Sequence, residues 1–246
     1  MNSSTKPHLL GLLAGLFLAA ALVLSALLVS RAWLKIAETQ NIVVTGSARR
    51  AVRADLAVWR GMFSVEADTL LEAQQRLKVD LGKVQAFLTA GGFTNSIFSP
   101  INIQELQATQ RDELGFIQQR TSGYRLTQNV EVRSSDVDRI TELNQQSTVL
   151  VERGVLFTPL PPQYLYTRAG EAKIEMLAEA TQDARARAEQ IAAQGGRSLQ
   201  TLRAARMGVF QITPVHSSDT SAEGLNDTTS LEKTILSVVS ATFSLK

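Results

Sequence analysis

From Leu9 to Ser30 the chain runs for 22 residues without a charge, ten of them Leu. A run this long and this apolar has no place on the surface of a water-soluble domain. As a helix rising ~1.5 Å per residue it covers ~33 Å, enough to cross a hydrocarbon core of ~30 Å. Pro7 suits the approach to a helix start, and Trp33 falls where an interfacial aromatic belongs. The expected layout is a short tail (1–8), a transmembrane anchor (9–30), a stem (31–41) and a folded region from residue 42 to the end. The lipid bilayer is then the first partner, through Leu9–Ser30.

Cleavage is the competing reading of the same segment. Ala19-Ala20-Ala21 and Ser30-Arg31-Ala32 both offer small residues, but the apolar run exceeds the ~7–15 residues of a signal core. An uncleaved anchor is therefore expected. Orientation is not set by charge. Lys6 precedes the run while Arg31, Lys35, Arg49, Arg50 and Arg53 follow it, which taken literally favours a cytoplasmic C-terminal part. Large domains, however, cross regardless of such a bias. Gly11, Gly15 and Ala19 share one face at the spacing that lets two helices approach, although small residues are common in membrane helices anyway.

The remaining sequence reads as globular, at 44% apolar and 20% charged over the whole chain. With no cysteine there is neither a disulfide framework, a thiolate metal site nor a thiol nucleophile. A net charge of +2 argues against nucleic acid as a partner.

Ile42–Thr45 reads as a first strand, Gly46–Ala48 as its end and Arg49-Arg50 as a basic turn. Val52–Val65 follows as a strand apolar on both faces, Val52, Ala54, Leu56 and Val58 on one, Ala57, Trp59, Phe63 and Val65 on the other. Thr69-Leu70-Leu71-Glu72 is a capping box opening a helix, with Leu70, Leu77, Leu81, Val84 and Leu88 on one stripe and Gly91-Gly92 at its end. Ile97–Ile103 alternates as a strand, with Pro100 suggesting an edge or a bulge. Arg111–Thr121 is polar and unassigned. Arg125–Arg133 alternates cleanly, one face apolar and one wet, as antiparallel strands do.

Ser135 is placed to cap a helix running to about Leu150. A helix over Ala169–Gln194 carries Ile174, Leu177, Thr181, Ala184, Ala188 and Ile191 on one stripe, and Gly195-Gly196 ends it. Its Ala-rich face suits an assembly surface or, by default, packing on the domain's own sheet. Strands around Leu202–Ile212 and Ile235–Leu245 flank a polar loop, Pro214–Ser230. Strand pairs joined to helices without regular alternation indicate an α+β fold with antiparallel sheets packed with helices, in which the first and last strands can pair. A division into two subdomains is placed near 110–123.

Several of these segments together resemble the SIMPL-domain family. They are Ile42–Ala48 (IVVTGSA), Asp55–Trp59 (DLAVW), Thr181–Ala192 (TQDARARAEQIA), Gly195-Gly196 and Val238–Leu245 (VVSATFSL). The resemblance covers nearly everything from residue 42 on; no segment is strong alone, and it is their order and spacing that make the match. It implies an α+β domain outside the cytoplasm behind a signal or anchor, self-association, and a link to envelope maintenance or oxidative-stress defence. It implies no catalytic residues.

No reaction centre emerges from the residues themselves, so catalytic, cofactor-binding and metal positions are all expected to be none. His8 and His216 lack the spacing of a metal pair, and Asp219, Glu223 and Asp227 lack the alternate-residue spacing of a calcium loop. Neither glycine pair precedes a helix, so neither cradles phosphate. No Gly-x-Ser-x-Gly elbow is present. Arg49, Arg50 and Arg53 fall short of a headgroup-binding cluster of ~4–8 basic residues, and a solvated turn is the simpler reading. The functional expectation is a single-pass, non-enzymatic protein of the bacterial inner membrane, its domain periplasmic, acting by self-assembly into a homo-oligomer or by binding partners. The alternatives are an extracytoplasmic hydrolase using His216, or a small-ligand sensor.

Overall fold

A computed structural model describes residues 7–37, 40–111, 117–217, 221 and 223–246. Among the described residues five helices and nine strands follow in chain order: α1 (Pro7–Ala37), β1 (Asn41–Arg53), β2 (Leu56–Ala67), α2 (Leu70–Ala90), β3 (Ile97–Phe98), β4 (Asn102–Arg111), β5 (Ile117–Ser134), α3 (Val137–Gln146), α4 (Val149–Glu152), β6 (Phe157–Pro159), β7 (Gln163–Leu165), α5 (Ala169–Gln194), β8 (Leu199–Pro214) and β9 (Glu232–Leu245). The fold is α+β. One sheet has the order β1-β9-β8; in the other, β2 and β5 are the long central pair, flanked by β3, β4, β6 and β7. The chain divides into two compact units, the first from residues 1–48, 177–208 and 238–246, the second from 49–176 and 209–237. The 110–123 stretch falls inside the second unit.

The second unit is built on the β2–β5 ladder, antiparallel from Ala57↔Ser134 to Ala67↔Tyr124. Alternation puts Ala57, Trp59, Phe63 and Val65 of β2 and Leu126, Val130 and Val132 of β5 on one buried face. There they meet Leu77, Val84 and Leu88 of α2 and Ile140 and Leu143 of α3 in a single core. Trp59 lies at the centre of that core, 5.7 Å from the Phe157 ring between centroids, and its indole N–H donates to Asn144 Oδ1 at 2.9 Å. Each large side chain of this set contributes ~1.5–3 kcal/mol by leaving water. Thr69 caps α2 as its sequence indicates, its hydroxyl accepting from the Glu72 amide at 3.3 Å. The Glu72 carboxylate turns instead to Arg76, 2.6 Å away. Gly92 closes the helix end at φ +79°, a left-handed value that suits Gly.

In the first unit α5 packs on β1 through a row of small residues. Ala180, Ala184, Ala188 and Ala192 are buried at every fourth position. Gly46 of β1 sits directly beneath, so that a Cβ there would strike the Ala180 carbonyl and the Ala184 amide. The Asp183 carboxylate accepts from the Ser47 amide at 2.8 Å, and that bond, followed by Arg187, holds its pKa below the usual carboxylate value. β1 and β9 pair, as the first and last strands were expected to: the Leu245 amide donates to the Gln40 carbonyl at 2.9 Å. Reciprocal bonds between Ser198 and Lys246 set β8 antiparallel to β9 on its other side.

Several local expectations give way to tertiary context. β1 does not turn at Arg49-Arg50 but runs on to Arg53, because β9 gives it a partner and ion pairs neutralise Arg50 and Arg53. Of the expected α5 stripe, Ala184 and Ala188 are buried but Ile174 and Ile191 are exposed; the close approach of the sheet at Gly46 turns the row Ala180, Ala184, Ala188 and Ala192 inward instead. Ile97–Ile103 is two strands, broken at Ser99–Ile101 around Pro100. The unassigned 111–121 stretch is strand at both ends, Arg111 closing β4 and Ile117 opening β5, with 112–116 outside the described residues. Asp136, not Ser135, caps α3 by accepting from the Arg139 amide, and that helix stops at Gln146 before α4 starts.

Gly46→Ala, with its methyl against helix backbone, is expected to cost about 2 kcal/mol and lower Tm by roughly 4–8 °C. Gly82→Ala, on an open face of α2, should be neutral or stabilising by about 0.5–1 kcal/mol. Thermal melts of the full chain in detergent, followed by circular dichroism, check both.

Candidate interaction surfaces

The first surface is α1 itself. Its 24-residue stretch Gly11–Leu34 is long and apolar enough to cross a membrane and has none of its surface buried against the protein. Leu12, Leu16, Phe17, Leu22, Leu24 and Trp33 are all exposed. Nothing approaches Gly11 or Gly15 within 4 Å. At ~1.5 Å per residue the stretch spans ~36 Å.

The second is a β-ribbon. β4 and β5 pair antiparallel from Asn102↔Thr127 out to Arg111↔Ile117, with a register shift at Leu106/Gln107. Up to Gly123 the ribbon lies against the end of β2, where the Ala67 carbonyl leaves no room for a Cβ on Gly123. Beyond it the two strands pair only with each other, and Gln107–Thr109 and Gln119–Ser122 are exposed. A two-stranded ribbon without a packed face is marginal on its own. The sequence concealed this arm because its polar residues carry no alternation.

Among the clefts of the second unit, two carry paired charges. One, about 430 Å³, crosses the wet face of β2 and β5 between Ile97 and Leu160. At its floor Glu131 lies between Arg60 and Arg133, 2.6 Å from each. The Arg60 bond, then that of Arg133, holds the Glu131 carboxyl below its ordinary pKa. The other, about 630 Å³, lies where α2 passes β2, and pairs Asp80 with Lys83 at 2.9 Å. Each acid that lines these clefts faces a cation, which suits structural pairing better than proton transfer.

The residues singled out from the sequence are scattered. His216 is exposed in a turn after β8 and makes no hydrogen bond to a serine among the described residues. Asp219 lies outside the described residues. Glu223 is exposed, and Asp227 points inward. Asp227 accepts from the Thr229 amide and hydroxyl at 2.9 and 2.7 Å and from Lys233 Nζ at 3.2 Å. The same Nζ donates to the Asp227 carbonyl at 2.7 Å, and Lys233 is wholly buried. Burial pushes the Asp227 pKa up, but the bonds from Thr229, Ser230 and Lys233 outweigh it and leave it well below the usual range. The loop acid is thus a clasp holding Asp227–Ser230 to β9. Of the three arginines after the anchor, Arg50 pairs with Glu175 at 2.5 Å and Arg53 with Asp138 and Glu232 at 2.5 and 3.2 Å, while Arg49 is exposed. They lie on a strand, not on a solvated turn.

Residues 42–243 match the family SIMPL, described as protein of unknown function (DUF541). The chain belongs to that family. No curated protein matches. Among solved structures, the SIMPL chain is similar to an amidase of the hydantoinase/carbamoylase family from Burkholderia phymatum, at 9% identity and a TM-score of 0.26 over 58% of this chain and 36% of that one. It is also similar to AtUAH in complex with glyoxylate (15% identity, TM-score 0.22, 60% and 36% covered) and to a putative amidohydrolase/peptidase from Burkholderia cenocepacia (16%, TM-score 0.19, 58% and 35%). The chain aligns with little more than a third of each of these proteins. TM-scores so low do not indicate a shared fold, and no activity is transferred from them.

Asp227→Asn leaves the buried Lys233 ammonium without its counter-charge and should cost about 3 kcal/mol at pH 7. Because the Asp227 pKa is depressed in the fold, its contribution is complete above the unfolded value of ~3.9 and is lost as pH falls through the folded value. Urea melts at pH 7, 4 and 2.5 should therefore show the wild type losing more stability in acid than the variant.

Proposed function

We propose that this SIMPL protein is a single-pass, membrane-anchored, non-enzymatic component of the bacterial envelope. α1 stays in the inner membrane and the domain from β1 onward stands outside the cytoplasm, where it works by self-assembly into a homo-oligomer or by binding other proteins. The exposure of the whole Gly11–Leu34 surface carries this reading, since an apolar helix of that length is stable in lipid and not in water. The unsupported β4–β5 ribbon adds to it, because a ribbon of that kind gains a packed face only from another chain. The paired state of the cleft acids favours a binding role over a hydrolytic one. A role in envelope maintenance or oxidative-stress defence follows from the family resemblance.

The experiment is fractionation of cells expressing the full chain. The intact protein is expected in the inner-membrane fraction after alkaline carbonate washing, with its domain digested by protease added to spheroplasts. Light scattering of the detergent-solubilised protein should give a mass of two or more chains. Recovery of the intact chain in the cytosol, or turnover of amide or ester substrates that His216→Ala abolishes, overturns the proposal.

A further inference from the structure

β8 ends the order β1-β9-β8, so one of its backbone edges has no strand beside it among the described residues. Proteins commonly blunt such an edge with a proline, a bulge, a short strand or a covering loop. β8 is long, and its two ends are treated differently. At Ile212 the chain covers the edge itself: the Ile212 amide donates to the Leu225 carbonyl at 2.7 Å and the Asp227 amide to the Ile212 carbonyl at 2.9 Å, with Asn226 as a parallel bridge partner. Over Thr201–Gly208 no strand or loop among the described residues covers it, and all eight residues are exposed. β1, the opposite outer strand, has its Ser47 amide taken by Asp183.

The open stretch is also charged in one sense. No acidic residue occurs from Gln190 to Ser218, while Arg203 and Arg206 stand in its middle. Neither arginine has an ion-pair partner among the described residues, unlike Arg185 and Arg187 on α5. Being three apart on a strand, they project from opposite faces, Arg203 beside Thr201 and Ala205, Arg206 beside Ala204 and Gly208. Leu202 and Met207 lie exposed next to them. A second copy of β8 is a poor occupant. The antiparallel registers that overlap nearly all of Thr201–Gly208 must pair residues of one face, and they leave either Arg203 or Arg206 diagonal to its own counterpart, so two like charges crowd one face. The same two charges favour a strand of the other sign.

We propose that the free edge of β8 over Thr201–Gly208 docks an extended segment of a partner protein as an added strand, the segment carrying two acidic residues three positions apart, one to each face, with β-branched residues between. Backbone hydrogen bonds supply the binding and the two acids select the register. This names the partner chemistry for the partner-binding reading above and does not depend on how the chain itself assembles.

The test uses the full chain in detergent micelles and a fluorescein-labelled peptide, Thr-Val-Glu-Val-Thr-Glu-Val-Thr, read by anisotropy. Saturable binding is expected, weaker in 0.5 M salt. The double substitution Arg203→Glu and Arg206→Glu, on exposed side chains, should weaken it at least tenfold and favour the peptide with Lys in place of Glu. A peptide with the same charges but N-methylated on alternate amides should also lose at least tenfold, which separates strand addition from simple charge attraction. Equal binding by the charge-reversed chain, equal binding of the N-methylated peptide, or binding only to anionic vesicles overturns the proposal. Light scattering of the same samples reports self-assembly separately, so an oligomer that ignores the peptide refutes the docking edge and leaves the proposed function standing.

Discussion

The fold depends on a pairing that the chain cannot make until nearly all of it exists. β9, the last strand, lies between β1 and β8, and β1 begins just after α1. Residues far apart in sequence therefore hold the first sheet together, through contacts such as Leu245 on Gln40. Closing so long a loop is entropically unfavourable, but that cost grows only slowly with length, and the ladder it allows is long. Folding of the first unit is then expected to wait on the C-terminal strand, as in other topologies dominated by distant contacts.

Two kinds of packing follow from that closure. Around Trp59 the second unit uses large side chains on an alternating ladder, and a polar bond from the indole to Asn144 fixes the register of α3 on the sheet. The first unit does the opposite. Alanines on α5 and Gly46 on β1 bring helix and strand backbones close, so the contact is specified by the absence of side chains. Such a contact is less tolerant of a single added methyl than the aromatic core is of a lost one, since a helix backbone cannot change rotamer.

Charge is spent mostly on structure. Arg50, Arg53, Arg60, Arg125 and Arg133 meet carboxylates, and Lys233 is buried on Asp227. Most of these pairs are exposed and each contributes little alone. Arg203 and Arg206 on the β8 edge are not among the paired arginines. Three surfaces stand open among the described residues, an apolar helix, an unsupported ribbon and a basic strand edge, each suited to contact with another molecule.

Periodicity alone located α1, α2, α5 and β5, because each carries a long pattern of one period and ends at glycines, caps or charges. The capping box at Thr69 and the alternation at Leu126–Val132 depend only on neighbours in sequence, and so were legible. Where a residue's state depends on what lies across from it, the pattern misled. Arg49 and Arg50 look like a turn until β9 pairs with them, and Ile174 and Ile191 look buried until Gly46 admits the alanines instead. The candidate surfaces behave in the same way: the apolar helix is written in twenty-two consecutive residues, whereas an open edge is a property of a sheet. No residue of β8 announces that its neighbour on one side is missing; only the order of the strands decides it.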